Sequence, residues 1–394
     1  MRIGIDGGTW NNQRGFGRFT RELVRALSPS GPHRYTLFLS PDAEGASVPP
    51  HVDIVRVPVR VAPSVAASAD GWRSPSDMWR MSRAMSRAPI EAVFFPAVYT
   101  YVPILGPMPV VVGIHDVIAE RYPDLVFATG RARWFWRLKV AAAVRQATRI
   151  VTVSAHSRRG IHKMLGVPFD RIHVVSEAPA DVFRRIGDRS VVDDALARLG
   201  LSPATPVVAY LGGLSPHKNL LRLVTAFSRI VREGHGDARL LLIGDFERDV
   251  FYSSYPALRA IVARECPAHV IFTGRLEDDV VACLLNGVSA LVLPSMDEGF
   301  GLPAVEAAAC GAAVIATRES AMPDVLGDAA LYVDPASEND IHGALTRVLN
   351  DPNLRRDLGA RAAARVADLS WRATADGIDR IFDGIQTRTE TITA

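Results

Sequence analysis

Only three cysteines occur in the 394 residues, Cys266, Cys283 and Cys310. They stand far apart and form no close metal-ligand pair, which excludes a disulfide scaffold and a zinc site built on paired cysteines. Two of them sit in apolar surroundings, the setting of buried thiols in a reducing compartment. Long hydrophobic runs are lacking too, and no stretch is long enough to span a bilayer. Met1 leads straight into a strand pattern without a signal-peptide core, so a cytoplasmic protein is expected. Charge of one sign is scarce: 45 basic residues face 42 acidic ones, for a net charge of +3. That is far short of a nucleic-acid footprint. Asp-x-Asp occurs nowhere, so the hard oxygen ligands of a metal–phosphate bridge are not gathered in one place. Gly-x-Ser-x-Gly and His-Glu-x-x-His are also absent, and with them the commonest hydrolase signatures.

What remains is a chain rich enough in apolar residues, at 48%, to build two domains of ordinary size. Short β-type runs alternate with helical stretches throughout. In the first half they cover residues 2–6, 35–39, 52–57, 92–95, 110–114, 149–153 and 172–175. In the second half they cover 207–211, 240–244, 270–273, 290–293, 314–316 and 331–333. Several are unbroken apolar runs, as parallel strands covered on both faces should be. This predicts an α/β fold with parallel sheets. A polar stretch at 177–189 breaks the rhythm, giving domains at 1–180 and 181–370. The tail from Trp371 to Ile385 reads as a helix with Ile378, Ile381 and Phe382 on one face. The segment from Pro58 to Ala88, with Gly71 and Trp72, reads as an excursion carrying a short helix near 77–86.

The most informative stretch is Glu298-Gly299-Phe300-Gly301-Leu302-Pro303, with Glu306 one turn further on. It follows the apolar run 290–293, so a buried strand feeds a glycine-rich loop that opens a helix. Pro303 suits the first helical position and Gly311 suits the stop. Such a loop lies at the carboxyl end of a strand, where open α/β sheets bind ligands. Backbone N–H groups at a helix start suit a phosphate, and carboxylates suit sugar hydroxyls. Glu306 should point back toward the helix start. Surface acids favoured by the helix dipole would be the simpler reading; the glycine setting of Glu298 argues for a site that takes a sugar joined to a phosphate.

Three more loops carry usable groups. Residues 6–18 contain Gly15 and Gly17 ahead of a helix expected from about Arg18 to Leu27, and these glycines permit close backbone approach to a bound group. The spacing is not the dinucleotide fingerprint. His115-Asp116 follows the 110–114 strand, where a histidine can stabilise charge at a reacting carbon or simply be satisfied locally. Gly212-Gly213-Leu214-Ser215-Pro216-His217-Lys218-Asn219 follows the 207–211 strand and precedes a helix at 220–232. Lys218 there can neutralise phosphate charge as a leaving group departs. It is not a Walker loop, since the Gly-Lys-Ser/Thr ending is missing. Arg275 and Leu276, after the 270–273 strand, could place groups beside a nucleobase.

Together these loops resemble glycosyltransferase family 4, the retaining glycosyltransferases of GT-B fold. The resemblance rests on Glu298 and Glu306 in the context Pro294-Ser295…Glu298-Gly299-Phe300-Gly301-Leu302-Pro303…Glu306-Ala307. Gly15-Phe16-Gly17-Arg18, His115-Asp116, Val153-Ser154 with Ser157, Lys218-Asn219, Gly327-Asp328…Asp334-Pro335 and Trp371 support it. It implies two facing Rossmann-like domains with an active-site cleft between them, the first taking the acceptor and the second a nucleotide diphosphate sugar. The last helix, about 371–394, would pack back on the first domain. By the same resemblance Glu306 would bind the ribose. Glu298 with the Gly299, Phe300, Gly301 and Leu302 backbone would hold the sugar and phosphate, and Lys218 the diphosphate. Gly15 or Gly17 would approach the diphosphate, and His115 would lie near the sugar. Glu298, Lys218 and His115 are the candidate catalytic groups. The family often has an arginine where Gly213 stands, so His217 would share the phosphate or Lys218 would act with helix dipoles alone. Its Asn-Gly-Val segment reads Glu177-Ala178-Pro179 here.

The activity implied is transfer of a hexose, of mannose or glucose type, to a glycan or lipid-linked acceptor in bacterial polysaccharide or glycoconjugate synthesis. The stereochemistry would be retained and neither cofactor nor metal is expected. A non-catalytic subunit that binds a partner, and an epimerase or phosphorylase on the same architecture, are the alternatives. Nucleic acid is not an expected partner. Arg131-Ala132-Arg133-Trp134-Phe135-Trp136-Arg137-Leu138-Lys139 mixes basic and aromatic residues at helical spacing, and Arg73, Trp79, Arg80, Arg83 and Arg87 form a second such patch. Basic amphipathic helices can lie on anionic lipid, here on the inner face of the plasma membrane; a helix that buries its tryptophans and solvates its arginines is the other reading.

Overall fold

The computed structural model describes residues 1–13, 15–43, 47–60, 74–245 and 253–393. Gly71, Trp72 and Arg73 lie outside the described residues. The chain divides into two compact units, Met1–Glu177 with Ser370–Ala394, and Ala178–Leu369.

The first unit is built on β1 (Arg2–Asp6), β2 (Arg34–Leu39), β3 (Asp53–Arg56), β4 (Ala92–Phe95), β5 (Val110–Gly113), β6 (Arg149–Thr152) and β7 (Ile172–Val174). They form one parallel sheet in the order β3-β2-β1-β4-β5-β6-β7. Strands β4 and β5 are buried at every position, which is why they read as apolar runs rather than alternations. The order reverses at β1, whose neighbours are β2 and β4. The helix after β1 spans Gly15–Ala26, three residues earlier than the sequence predicts. Gly15 and Gly17 therefore belong to its first turn and not to a loop. A Cβ on Gly17 would stand 1.8 Å from the Asn12 carbonyl oxygen, so its missing side chain serves the packing of the preceding turn.

The second unit contains β8 (Val207–Leu211), β9 (Arg239–Ile243), β10 (Val270–Gly274), β11 (Ala290–Leu293), β12 (Ala313–Thr317) and β13 (Leu331–Val333). The sheet is again parallel, ordered β10-β9-β8-β11-β12-β13. Here the order reverses between β8 and β11, paired through Ala290 with Val208 and Leu291 with Ala209. Ligands of open α/β sheets bind outside the carboxyl ends of strands at such a reversal.

The helix Trp371–Thr393 belongs to the first unit. Phe382 is fully buried and meets the Phe94 ring edge-on, and Trp371 meets Phe19. Thr374 donates to the Ser176 carbonyl at 2.7 Å. The buried Tyr35 hydroxyl donates to Asp379, and burial with that carboxylate pushes the phenol well above its ordinary range. We expect Asp379→Ala to lower stability by about 1–3 kcal/mol, because it leaves a buried hydroxyl without its acceptor. Urea denaturation compared with Tyr35→Phe checks this: the double variant should cost less than the sum of the two singles.

Candidate functional site

The loop after β8 and the loop after β11 emerge side by side because their strands are neighbours. Tyr210 is fully buried, and its hydroxyl donates to the Gly213 carbonyl at 2.6 Å. Gly212 has φ 149°, and a Cβ there would meet that hydroxyl at 2.7 Å. The first loop closes with a single 3-10 turn, Pro216–Lys218. Asn219 follows with φ 60°, a left-handed conformation that asparagine tolerates better than most residues. Its amide donates to the carbonyls of Pro294 (2.9 Å) and Pro335 (2.8 Å). Arg222 donates to the Asn219 side-chain oxygen and to the Pro335 carbonyl. One asparagine thus ties together the segments that follow β8, β11 and β13.

The second loop runs from Pro294 to Gly301 and is largely buried. Met296 N–H donates to the His217 carbonyl at 2.8 Å, and Ala321 N–H donates to the Glu298 carbonyl at 3.0 Å. Lys218 Nζ lies 2.8 Å from Glu298 Oε1, and the buried Ser295 hydroxyl donates to the same oxygen at 2.6 Å. Gly301, at φ 82°, caps the helix Leu302–Ala309, and Pro303 occupies its first turn. A Cβ on Gly301 would collide with the Met322 thioether. Phe300 and Glu306 are buried.

The structure therefore brings Lys218, His217, Glu298 and the stretch from Gly299 through Leu302 together, with Glu306 on the helix that this stretch opens. Arg275 and Leu276 follow β10, the edge strand, which is separated from β8 by β9; Arg275 is exposed. Asn219 carries a role that local spacing does not reveal, since its partners Pro294 and Pro335 come from distant parts of the chain. Ser295 acts on Glu298 only three residues on, but the bend that turns its hydroxyl toward that carboxylate leaves no periodic signal. Among the described residues no group of three or more His, Cys, Asp or Glu is placed to hold a metal ion.

His115 lies in the first unit, past the end of β5. Its Nε2 lies 2.8 Å from the Pro96 carbonyl, which can only accept, so Nε2 carries the proton. Phe16 and Phe19 meet the ring edge-on. Nδ1 faces Glu177 Oε1 at 3.6 Å, so the residue that departs from the family pattern is this histidine's neighbour. Burial pushes the imidazolium down from 6.5 to about 4, against the pull of the Pro96 bond.

Residues 14–178 match the family model described as Glycosyltransferase Family 4, and residues 193–365 match Glycosyl transferases group 1. The Escherichia coli serotype-specific mannosyltransferase WbdA is 27% identical over 287 residues, covering 69% of this chain and 33% of that protein. The D-inositol 3-phosphate glycosyltransferase of Nocardia farcinica is 31% identical over 239 residues, 60% of this chain and 52% of that one. The matched span is thus a third to about half of the length of these relatives. Among solved structures, sucrose-phosphate synthase from Thermosynechococcus elongatus superposes with a TM-score of 0.78 over 98% of this chain and all of that one, at 19% identity. The fold is accordingly GT-B.

Two measurements follow from this geometry. Lys218→Ala leaves a largely buried carboxylate without its cation, whereas Glu298→Gln leaves a neutral acceptor for Ser295. We expect the first to cost about 1–3 kcal/mol and the second less, read by urea denaturation. The folded state withholds from His115 a proton that the unfolded chain binds, so this contribution is complete above about pH 6.5 and is lost as pH falls toward about 4. No tryptophan occurs between Ala178 and Leu369, so tryptophan fluorescence does not report on the second unit. The urea midpoint should drop between about pH 7 and pH 4.5, and drop less in His115→Gln; equal slopes would remove His115 as the cause.

Proposed function

Because the chain belongs to the family 4 glycosyltransferases, we propose that it moves a hexose, of mannose or glucose type, from a nucleotide diphosphate sugar to a glycan or lipid-linked acceptor. The observation that carries this reading is the Lys218–Glu298 pair at the β8–β11 reversal, beside the Gly301-capped helix and Glu306. Lys218 is the cation for the diphosphate. While no donor is bound, Glu298 balances it; when the donor enters, the diphosphate takes the ammonium and Glu298 turns to the sugar hydroxyls. Ser295 holds Glu298 in place during that exchange. Glu306 accepts from the ribose hydroxyls, and the start of the Leu302–Ala309 helix adds positive potential toward phosphate. His115, with Gly15 and Gly17, is assigned to the unit that receives the acceptor.

Neither carboxylate needs to attack the sugar. The bond from the anomeric carbon to the phosphate oxygen breaks, and the acceptor hydroxyl adds on the same face. The departing phosphate takes the hydroxyl's proton, so configuration is retained. The chain's share is to position both substrates and to stabilise charge on the leaving diphosphate. Lys218 and the helix start supply that charge without a metal. Three free thiols, Cys266, Cys283 and Cys310, suit a cytoplasmic setting.

Calorimetric titration with nucleoside diphosphates, followed by product analysis with nucleotide-sugars, tests the assignment. A glycoside product supports it; a free epimer, a sugar phosphate or no heat of binding would discard it. Glu306→Ala loses a charge-assisted bond of about 1.5–3 kcal/mol, so kcat/KM for the donor should fall on the order of ten- to a hundredfold. Lys218→Ala should fall further. Activity should survive a chelator; a complete, metal-restored loss would refute the metal-free route.

A further inference from the structure

The chain crosses from β3 to β4, from β5 to β6 and from β6 to β7 in one direction along the first sheet. Right-handed crossovers therefore place the helices Pro75–Arg87, Gly130–Gln146 and Ala155–Leu165 on one face. These helices hold eleven Lys or Arg and a single acid, Asp77, in a chain whose net charge is only +3. Asp77 is itself buried and paired with Arg80.

The helix Gly130–Gln146 contains no acid and buries only Trp136, Val140 and Ala143. Most of its other positions are exposed. Trp134 is 57% exposed, Leu138 49% and Phe135 40%. At 3.6 residues per turn these three share an arc of roughly 160° with Arg131, Arg137 and Arg145. The apolar exposure continues beside it. Leu105 is exposed, and its loop is held to this helix through Gln146 and to the helix Pro75–Arg87 through Ser86. On that second helix Trp79 is exposed with Arg83 over its ring. Aromatic and arginine side chains alone would not tell a protein partner from a lipid surface, since protein interfaces are enriched in both. The one-signed charge of these helices, eleven cations against one paired acid, calls for an extended anionic surface. A second copy would set cations against cations. A bilayer accepts both: rings and leucines enter the acyl boundary, while arginine stems reach back to phosphate.

We propose that this face, centred on Trp134, Phe135 and Leu138 with Arg131, Arg137 and Arg145, docks the protein on an anionic lipid surface. The helix lies in the interface and does not cross it; among the described residues no helix is long and apolar enough to do so. The docking surface does not depend on the transferase reading and would stand if that reading failed.

Flotation of the full chain with phosphatidylcholine vesicles, with and without about one-third phosphatidylglycerol, tests the proposal. We expect binding to the anionic vesicles that weakens in high salt. Arg137→Glu with Arg145→Glu should weaken it by on the order of a hundredfold. Trp134→Ala with Leu138→Ala should weaken it at least tenfold. All four positions are on the surface, so thermal unfolding and nucleoside-diphosphate binding should match the wild type. Absent flotation, equal flotation on both vesicle types, or flotation indifferent to both double variants would overturn the proposal. So would a concentration-dependent dimer that Trp134→Ala with Leu138→Ala abolishes, since that would assign the face to self-association.

Discussion

Parallel strands impose a direction. Each must be re-entered from the same end, so every loop that leaves a carboxyl end emerges on one edge of the sheet. When the strand order then reverses, as it does between β8 and β11, two of those loops diverge to opposite faces and open a crevice between them. Lys218 and Glu298 are 80 residues apart in sequence, yet this constraint makes them neighbours. The glycines, the left-handed Asn219 and the helix start at Leu302 refine a position that strand order has already set.

Within that crevice the polar groups hold one another. Glu298 accepts from Lys218 and Ser295, and Asn219 binds two carbonyls from separate segments. A carboxylate and an ammonium removed from water need such partners, since either alone would be costly there. The same arrangement pre-orients both groups. A ligand that brings its own anion can displace Glu298 from Lys218 without unfolding the loop, because the backbone of each residue is fixed by other bonds.

Strands were the easiest part to read, because a buried parallel strand writes itself as an unbroken apolar run: 92–95 and 290–293 coincide with β4 and β11. The glycine-rich loop with its proline-started helix was visible for a similar reason, since few residues fit those backbone positions. The start of the first helix was not. Gly15 and Gly17 read as loop by propensity, but tight packing of the preceding turn against Gly17 outweighed it. The tryptophan-rich helix divided its own expectation. Trp136 turned inward and donates to Glu120, while Trp134 stayed outside; periodicity orients a helix against a core only when one stripe is clearly more apolar than the others. The contacts of Asn219 and Glu177 were invisible because each partner is supplied by another part of the chain.

The return of the final helix to the first unit has a consequence for synthesis. A ribosome that has reached Leu369 has delivered every residue of the second unit, while the first still lacks the side chains that cover Phe94 and Tyr35. The unit begun first is thus completed last, and a nascent chain stalled short of Trp371 would leave that apolar surface bare for chaperones to guard.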